Sequence, residues 1–219
     1  MNDLPDYLYS PSYWLPPLSY YASLSYCRVP LIIEQFENYQ KRSFRNRGNI
    51  FAANGSLMLS VPLQKGKNHG TPIQRIKISH DFNWKREHLR SMMSAYGSAP
   101  FYEYYMPQIE GIYTEEYEYL LDWNQRWLQY SMEQLQLELP FDFSNHFMKP
   151  EVMTKANLTL EDSRNLTHLL HYNESFWYPQ VFQDRLPFNP KYCILDLLFS
   201  CGPESSILIQ QYWKTTFND

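Results

Sequence analysis

Between Gln40 and Arg47 the chain reads Gln-Lys-Arg-Ser-Phe-Arg-Asn-Arg, and Lys41, Arg45 and Arg47 are the side chains best suited to hold an anion. Arg45 and Arg47 stand two apart, so an extended backbone points both the same way. Two guanidinium forks on one face match the oxygens of a phosphate or carboxylate. Gln40 and Asn46 add amides; Asn46 points away from the arginines unless the segment turns, and with Tyr104 or Tyr105 it is the candidate donor to a developing oxyanion. The alternative is a solvated loop whose ion pairs are each worth little. His88 is the candidate general base, because an imidazole titrates near neutral pH and takes a proton from an attacking hydroxyl or amine. Arg86 and Arg90 lie close by in sequence and would lower its pKa. The alternative for His88 is a half-buried packing histidine. Tyr104 and Tyr105 offer hydroxyl donors and ring faces on which a sugar or base stacks. All of this chemistry requires the guanidinium groups and the imidazole to converge on one hollow.

Other reactive patterns are missing. The seven glycines assemble neither GxGxxG nor GxxxxGK[ST], and GxSxG is absent. No nucleotide cofactor is expected. His168 and His171 are three apart, as a metal pair on a helix would be, but no third ligand stands at a motif spacing, so no metal is expected either. Cys27, Cys193 and Cys201 cannot all pair and form no CxxC; they read as buried thiols of a reducing compartment.

The elements that must position these residues follow from periodicity. Pro16-Pro17 opens a helix through Tyr20, Tyr21, Leu24 and Cys27. Val29 to Phe36 reads as a strand. Asn49–Ala53 and Ser56–Leu63 read as a hairpin over Asn54-Gly55, a type I′ signal, with Leu57, Leu59, Val61 and Leu63 on one buried face. Residues 64–72 read as loop, and Ile73, Ile76 and Ile78 as a further strand. Trp84–Tyr96 reads as a helix with Asp81 or Asn83 at its start. A second helix starts at Phe101–Tyr105, and a third runs from Glu115 to Leu137. Residues 138–160 read as a lid or connector. Ile194–Ser200 and Ile207–Trp213 are helices joined at Gly202-Pro203. These elements predict an α+β fold: a small, mostly antiparallel sheet in the N-terminal third, then a helical C-terminal two-thirds, as a single domain over 1–219.

Composition narrows the partners. The 219 residues are 44% hydrophobic and 17% aromatic, with 19 Tyr and 6 Trp, which suits a folded chain whose rings line a cleft or simply fill a core. The net charge of −4 argues against nucleic acid as a partner, although residues 41–90 carry 11 of the 19 Lys and Arg and only Asp81 and Glu87 as acids. That distribution gives either one cationic and one acidic face or two parts that neutralise each other internally. The acidic, non-apolar start is no signal peptide, and no apolar run is long enough to span a bilayer, so a cytoplasmic location with no transmembrane segment is expected.

Several segments in order resemble the WbqC-like protein family. They are Pro16 with Tyr20-Tyr21, Gln40-Lys41 through Arg45-Asn46-Arg47, Asn54-Gly55 with Leu59 and Val61-Pro62, Trp84 with His88, and Tyr96-Gly97-Ser98 through Tyr104-Tyr105. Tyr178-Gln180-Val181-Phe182 and Ile194–Phe199 with Gly202-Pro203-Glu204 extend the resemblance late into the chain. The resemblance implies a place in bacterial surface polysaccharide (O-antigen type) biosynthesis, where a glycine transferase role has been suggested for the family. It therefore implies a transferase moving a glycyl or small acyl group onto a nucleotide- or lipid-linked sugar, with a phosphate-bearing sugar intermediate as ligand. The alternative is a non-catalytic sugar-binding protein, or a scaffold whose partners are the polysaccharide biosynthesis enzymes.

Overall fold

The computed structural model describes residues 7–66, 68–147, 158–159 and 170–215. Strand β1 (Leu8–Pro11), helix α1 (Leu18–Cys27) and strand β2 (Leu31–Glu34) form a βαβ unit, and the intervening helix returns the chain so that β1 and β2 run parallel. β5 (Phe141–Phe143) joins the far side of β2 and β6 (Leu158–Thr159) the far side of β1, both parallel, in the order β5-β2-β1-β6. The expected mostly antiparallel sheet is therefore wrong for the main sheet. The hairpin of β3 (Arg47–Ala52) and β4 (Gly55–Ser60) is antiparallel, but it stands as a separate pair. A second antiparallel pair joins β7 (Leu170–Tyr172) to β8 (Trp213–Thr215), where the sequence pattern reads Trp213 as a helix end.

The physical reason lies in burial. β1 is buried along its whole length and β2 nearly so, which is the habit of a parallel strand covered on both faces rather than the alternation of a half-exposed one. α1 is buried almost all round, so it too lies inside the molecule. Strand order reverses at β1, which has β2 on one side and the much later β6 on the other. The crevice at the carboxyl ends of such strands is where open parallel sheets place ligands.

The hairpin also differs from expectation. Ala52 pairs with Gly55, so Ala53 and Asn54 are the turn residues. Of the turn's residues only Gly55 has positive φ, at 100°, whereas a type I′ turn needs positive φ at both centres. Leu59 and Val61 are buried, but Leu57 is 38% exposed, so the apolar face is shorter than the pattern suggests. Ile73–Arg75 is one 3₁₀ turn rather than a strand; Ile73, Ile76 and Ile78 are nonetheless fully buried. Gly48 is required by close approach: a Cβ there would lie 2.6 Å from Leu15 Cβ, where the 12–17 segment crosses β3.

Helices α2 (Trp84–Tyr96), α3 (Tyr102–Thr114) and α4 (Leu120–Gln134) follow as the periodicity predicts, the third starting later than Glu115. α5 (Ile194–Cys201) and α6 (Ser205–Gln210) meet through the 3₁₀ turn Gly202–Glu204. One contiguous apolar cluster joins residues from Leu8 to Tyr212. All three cysteines are free and buried, with burial pushing Cys27 up to about 11 and Cys193 and Cys201 to about 12.

Asp196, in the first turn of α5, is wholly buried. Its Oδ2 accepts from Tyr178 Oη at 2.7 Å and Gln180 Nε2 at 2.6 Å, while Oδ1 has no hydrogen-bond partner. Burial raises its pKa from the usual 3.8 to about 6, against the lowering effect of those hydrogen bonds. Between those two values the folded protein binds more protons than the unfolded chain, so this group's contribution to stability is lost as pH rises from about 4 through 6. Asp196→Asn keeps an acceptor for Tyr178 and Gln180 without the buried charge. At pH 8 its unfolding free energy, from urea titration, should equal or exceed that of the wild type, by up to roughly 2–3 kcal/mol. At pH 4 the advantage should vanish.

Candidate functional site

The candidate residues sit where the loop after β2 meets the start of β3. The chain from Gln35 to Asn46 folds back over the carboxyl end of the parallel sheet. It is held there by backbone bonds to the 71–74 segment: Tyr39 N–H to Thr71 O at 2.8 Å and Ile73 N–H to Glu37 O at 2.8 Å. The segment does turn before β3, and this reverses the roles expected of alternate residues. Arg45 is only 1% exposed and Asn46 is buried, while Gln40 and Lys41 are exposed and Arg47 is half-buried.

Arg45 is an internal cation. Its Nε donates to Glu37 Oε1 at 2.9 Å and its Nη2 to Glu37 Oε2, a bidentate pair. Its guanidinium also lies 5.8 Å from the Tyr13 ring centre. Arg45 thus has its carboxylate built into the fold, and the expected partnership of Arg45 with Arg47 on one anion does not form. Asn46 is equally engaged. Its Oδ1 accepts from Tyr39 Oη at 2.8 Å, and its Nδ2 donates to Val61 O at 2.9 Å. The second Nδ2 proton is directed at Ser60 Oγ, 3.5 Å away, so the amide is turned into the hairpin rather than toward an oxyanion.

Arg47 differs from both. Its Nε is buried yet has no hydrogen-bond partner, and no carboxylate pairs with it among the described residues. It lies close enough to Tyr39 to oppose the rise in that phenol's pKa that burial causes. Lys41 and Gln40 stand on the exposed turn just before it.

His88 is reached from this loop through two residues of the hairpin strand. Asn46 holds Val61 O, and His88 Nε2 lies 3.2 Å from Ser60 O. A carbonyl only accepts, so Nε2 carries the proton, and Nδ1 accepts from Tyr113 Oη at 3.0 Å. The ring stacks on Trp14 at 5.2 Å and meets Trp84 edge-on at 5.1 Å. Burial drives its pKa down from 6.5 to about 4, against the raising effect of the Ser60 carbonyl; neither Arg86 nor Arg90 contributes. The imidazole is therefore neutral at pH 7 with both nitrogens occupied. The structure brings the loop and His88 to one place, but packed rings of Trp14, Trp84, Tyr113 and Trp123 fill the expected hollow.

Tyr104 and Tyr105 are not part of this cluster. Tyr104 is 62% exposed and Tyr105 buried, and the two rings touch each other at 4.9 Å. No hydrogen bond or ring contact joins either to residues 40–47 among the described residues. His168 lies outside the described residues, and only the backbone of His171 is described, in β7. Among the described residues no group of His, Cys, Asp and Glu is arranged to hold a metal, and no helix is long and apolar enough to cross a membrane.

Two site residues escaped the sequence reading. Glu37 is the last acid before a run without Asp or Glu that extends to Asp81, which marks it as the partner of a nearby buried arginine. Asn124, 1% exposed on α4, donates through Nδ2 to Arg45 O at 2.9 Å and to Ser12 Oγ at 3.1 Å. It ties the loop to the carboxyl end of β1, beside a cavity of about 10 Å³ lined by Ser12, Tyr13 and Asn124, the size of one water. An asparagine among helix apolars gives no sequence signal of such a role.

Removing one partner of a buried pair leaves the other charge desolvated and alone. Arg45→Met should destabilise the protein by roughly 3–5 kcal/mol in urea unfolding, and Arg45→Met with Glu37→Met should recover part of that loss. For His88, ¹⁵N shifts of the imidazole at pH 7 should report the neutral ring protonated on Nε2, and protonation should set in only near pH 4.

Neither the curated proteins nor the solved structures contain a match to this chain. The model of the WbqC-like protein family matches residues 11–170, well over half of the sequence, and spans β1's end, the cationic loop, the hairpin and α2–α4. The late segments around Tyr178 and Ile194 that share the resemblance lie beyond the matched stretch. The chain belongs to the WbqC-like protein family.

Proposed function

We propose that this chain is a transferase of bacterial surface polysaccharide biosynthesis that places a glycyl or other small acyl group on a sugar carried by a nucleotide or lipid diphosphate. Family membership supports the pathway. The observation that carries the ligand class is Arg47: a half-buried guanidinium with an unpartnered Nε, fixed between the exposed Lys41 turn and the hairpin. A desolvated cationic donor without a partner favours an incoming anion strongly. Lys41 and Arg47 hold the diphosphate, and Gln40 hydrogen-bonds its sugar side. Arg45, Asn46 and His88 act as positioning residues that fix Arg47 from below.

In the reaction the acceptor amine or hydroxyl attacks the acyl carbonyl, and an amide or ester bond forms. The activating group leaves with its electron pair, and the acceptor's proton goes with it or to water. The donor arrives already activated, since the sequence holds no nucleotide-activating motif. The work is placed in the cytoplasm, where such sugar intermediates are made.

A second reading is a non-catalytic carrier or scaffold of the same pathway. It is favoured by one observation: neither His88 nor Asn46 has a free hydrogen-bonding position.

Calorimetric titration with a uridine-diphosphate sugar should give binding that Arg47→Ala weakens at least about tenfold, the loss of one charge-assisted contact. Equal affinity in the two proteins would remove the anion grip. Surface glycan from a deletion strain separates the two readings by mass: a lost small substituent belongs to the transferase, and shortened chains of unchanged units to the scaffold.

A further inference from the structure

Between Glu37 and Asp81 the chain has no acid, and it carries Lys41, Arg42, Arg45, Arg47, Lys65, Lys67, Arg75 and Lys77. The fold consumes two of these internally. Arg45 is paired with Glu37, and Lys77 Nζ lies 2.5 Å from Glu118 Oε1. Lys67 lies outside the described residues. Lys41, Arg42, Lys65 and Arg75 are exposed and Arg47 half-buried, and none of the five pairs with a carboxylate among the described residues.

These cations sit on two loops that are bound side by side. Residues 35–40 and 71–74 share the bonds Tyr39 N–H to Thr71 O, Ile73 N–H to Glu37 O and Gln74 N–H to Gln35 O, and Asn38 bridges Pro72. The second loop is closed at its other end, where Gln64 N–H donates to Lys77 O at 3.0 Å. The result is two cationic loops laid side by side as one platform. β4, which runs into it through Val61, exposes Met58 by 52% on the same face as the exposed Ser60 at the platform end of the strand. The rest of the chain outside 41–90 carries the balancing negative charge, of which Glu37 and Glu118 reach cations of this segment.

We infer that this platform docks the protein on an anionic phospholipid surface. Headgroup phosphates ask only for cations spread over one exposed face, with apolar side chains beside them to enter the interface. Nucleic acid asks for more. Single strands need exposed rings for base stacking, and the platform's rings are withdrawn: Tyr39 is 4% exposed, and Phe44 is half-buried against Tyr13 at 6.1 Å. The inference goes beyond the transferase reading, since it concerns Arg42, Lys65 and Arg75, which that reading does not use. If both hold, docking sets the Lys41–Arg47 turn against the leaflet from which a lipid-linked diphosphate projects.

The test is co-sedimentation with vesicles of equal parts phosphatidylglycerol and phosphatidylcholine, against vesicles of phosphatidylcholine alone. The wild type should bind the anionic vesicles at low salt, release from them at high salt, and ignore the neutral ones. Each surface cation contributes roughly fivefold to such binding, so Arg42→Glu, Lys65→Glu and Arg75→Glu together should weaken it about a hundredfold or more. Met58→Ser should weaken it further while leaving the salt dependence in place. The same triple variant should keep the wild-type urea midpoint and still bind the uridine-diphosphate sugar, more weakly through the changed field but still sensitively to Arg47→Ala, so failure here and failure of the anion grip are read separately. Equal binding to both vesicle types, or a triple variant that binds as the wild type does, would overturn the inference. Salt-sensitive binding to single-stranded RNA without vesicle binding would overturn it as well, and would assign the platform to nucleic acid.

Discussion

A guanidinium that is 1% exposed persists only where a carboxylate comes with it, and the Arg45–Glu37 pair meets that condition at the junction of three elements. Glu37 arrives on the loop after β2. Arg45 stands two residues before β3. Asn124 of α4 holds the backbone carbonyl of Arg45. A break in the pair would free all three elements at once, because no apolar contact replaces the two parallel hydrogen bonds. The loop that carries the candidate ligand residues is therefore specified by electrostatics inside the protein rather than by turn chemistry. Glycine is absent from it between Gln35 and Arg47.

The ring box around His88 extends the same construction. An imidazole is the one ring that offers a donor on one edge and an acceptor on another while stacking like a small aromatic. Here it links Ser60 of β4 to Tyr113 of α3 across the packed faces of Trp14 and Trp84. A phenylalanine would keep the stacking and lose both bonds, leaving Ser60 O and Tyr113 Oη without a partner. His88 is explained fully by this linkage. Its neutrality follows from it, since a charged ring would have to donate to Tyr113 as well as to Ser60 in a desolvated site.

Much of the helical part was legible because its apolar spacing is regular. The spacing puts Trp84, His88, Ser91, Met92 and Ala95 on one face of α2, and all of these but the half-buried Ser91 are buried. The sheet was not legible, for two reasons. β1 is four residues, Leu-Tyr-Ser-Pro, too short and too polar to show a period, and without it β2 has no parallel partner to suggest. The hairpin was visible, but Asn54-Gly55 drew attention to the wrong pair of turn residues, since only Gly55 needs the left-handed region. In the candidate site, the residue types were legible and their directions were not. Alternation assigns Arg45 and Arg47 to one side only if the backbone is extended, and it turns before Arg47.

That turn separates the two arginines into complementary roles. Arg45 surrenders its charge to Glu37 and thereby makes the loop rigid. Arg47, two residues on, begins β3 opposite Ser60 and inherits that rigidity with no carboxylate paired to it among the described residues. A cation on a mobile loop spends much of its attraction for an anion on its own ordering. Arg47 is already held by the strand and already partly desolvated, so that expense has been met in folding. The buried pair thus sets the strength of the exposed site indirectly. Weakening Arg45–Glu37 would loosen the backbone from which Arg47 projects, and so would weaken the proposed anion grip without removing any group assigned to it.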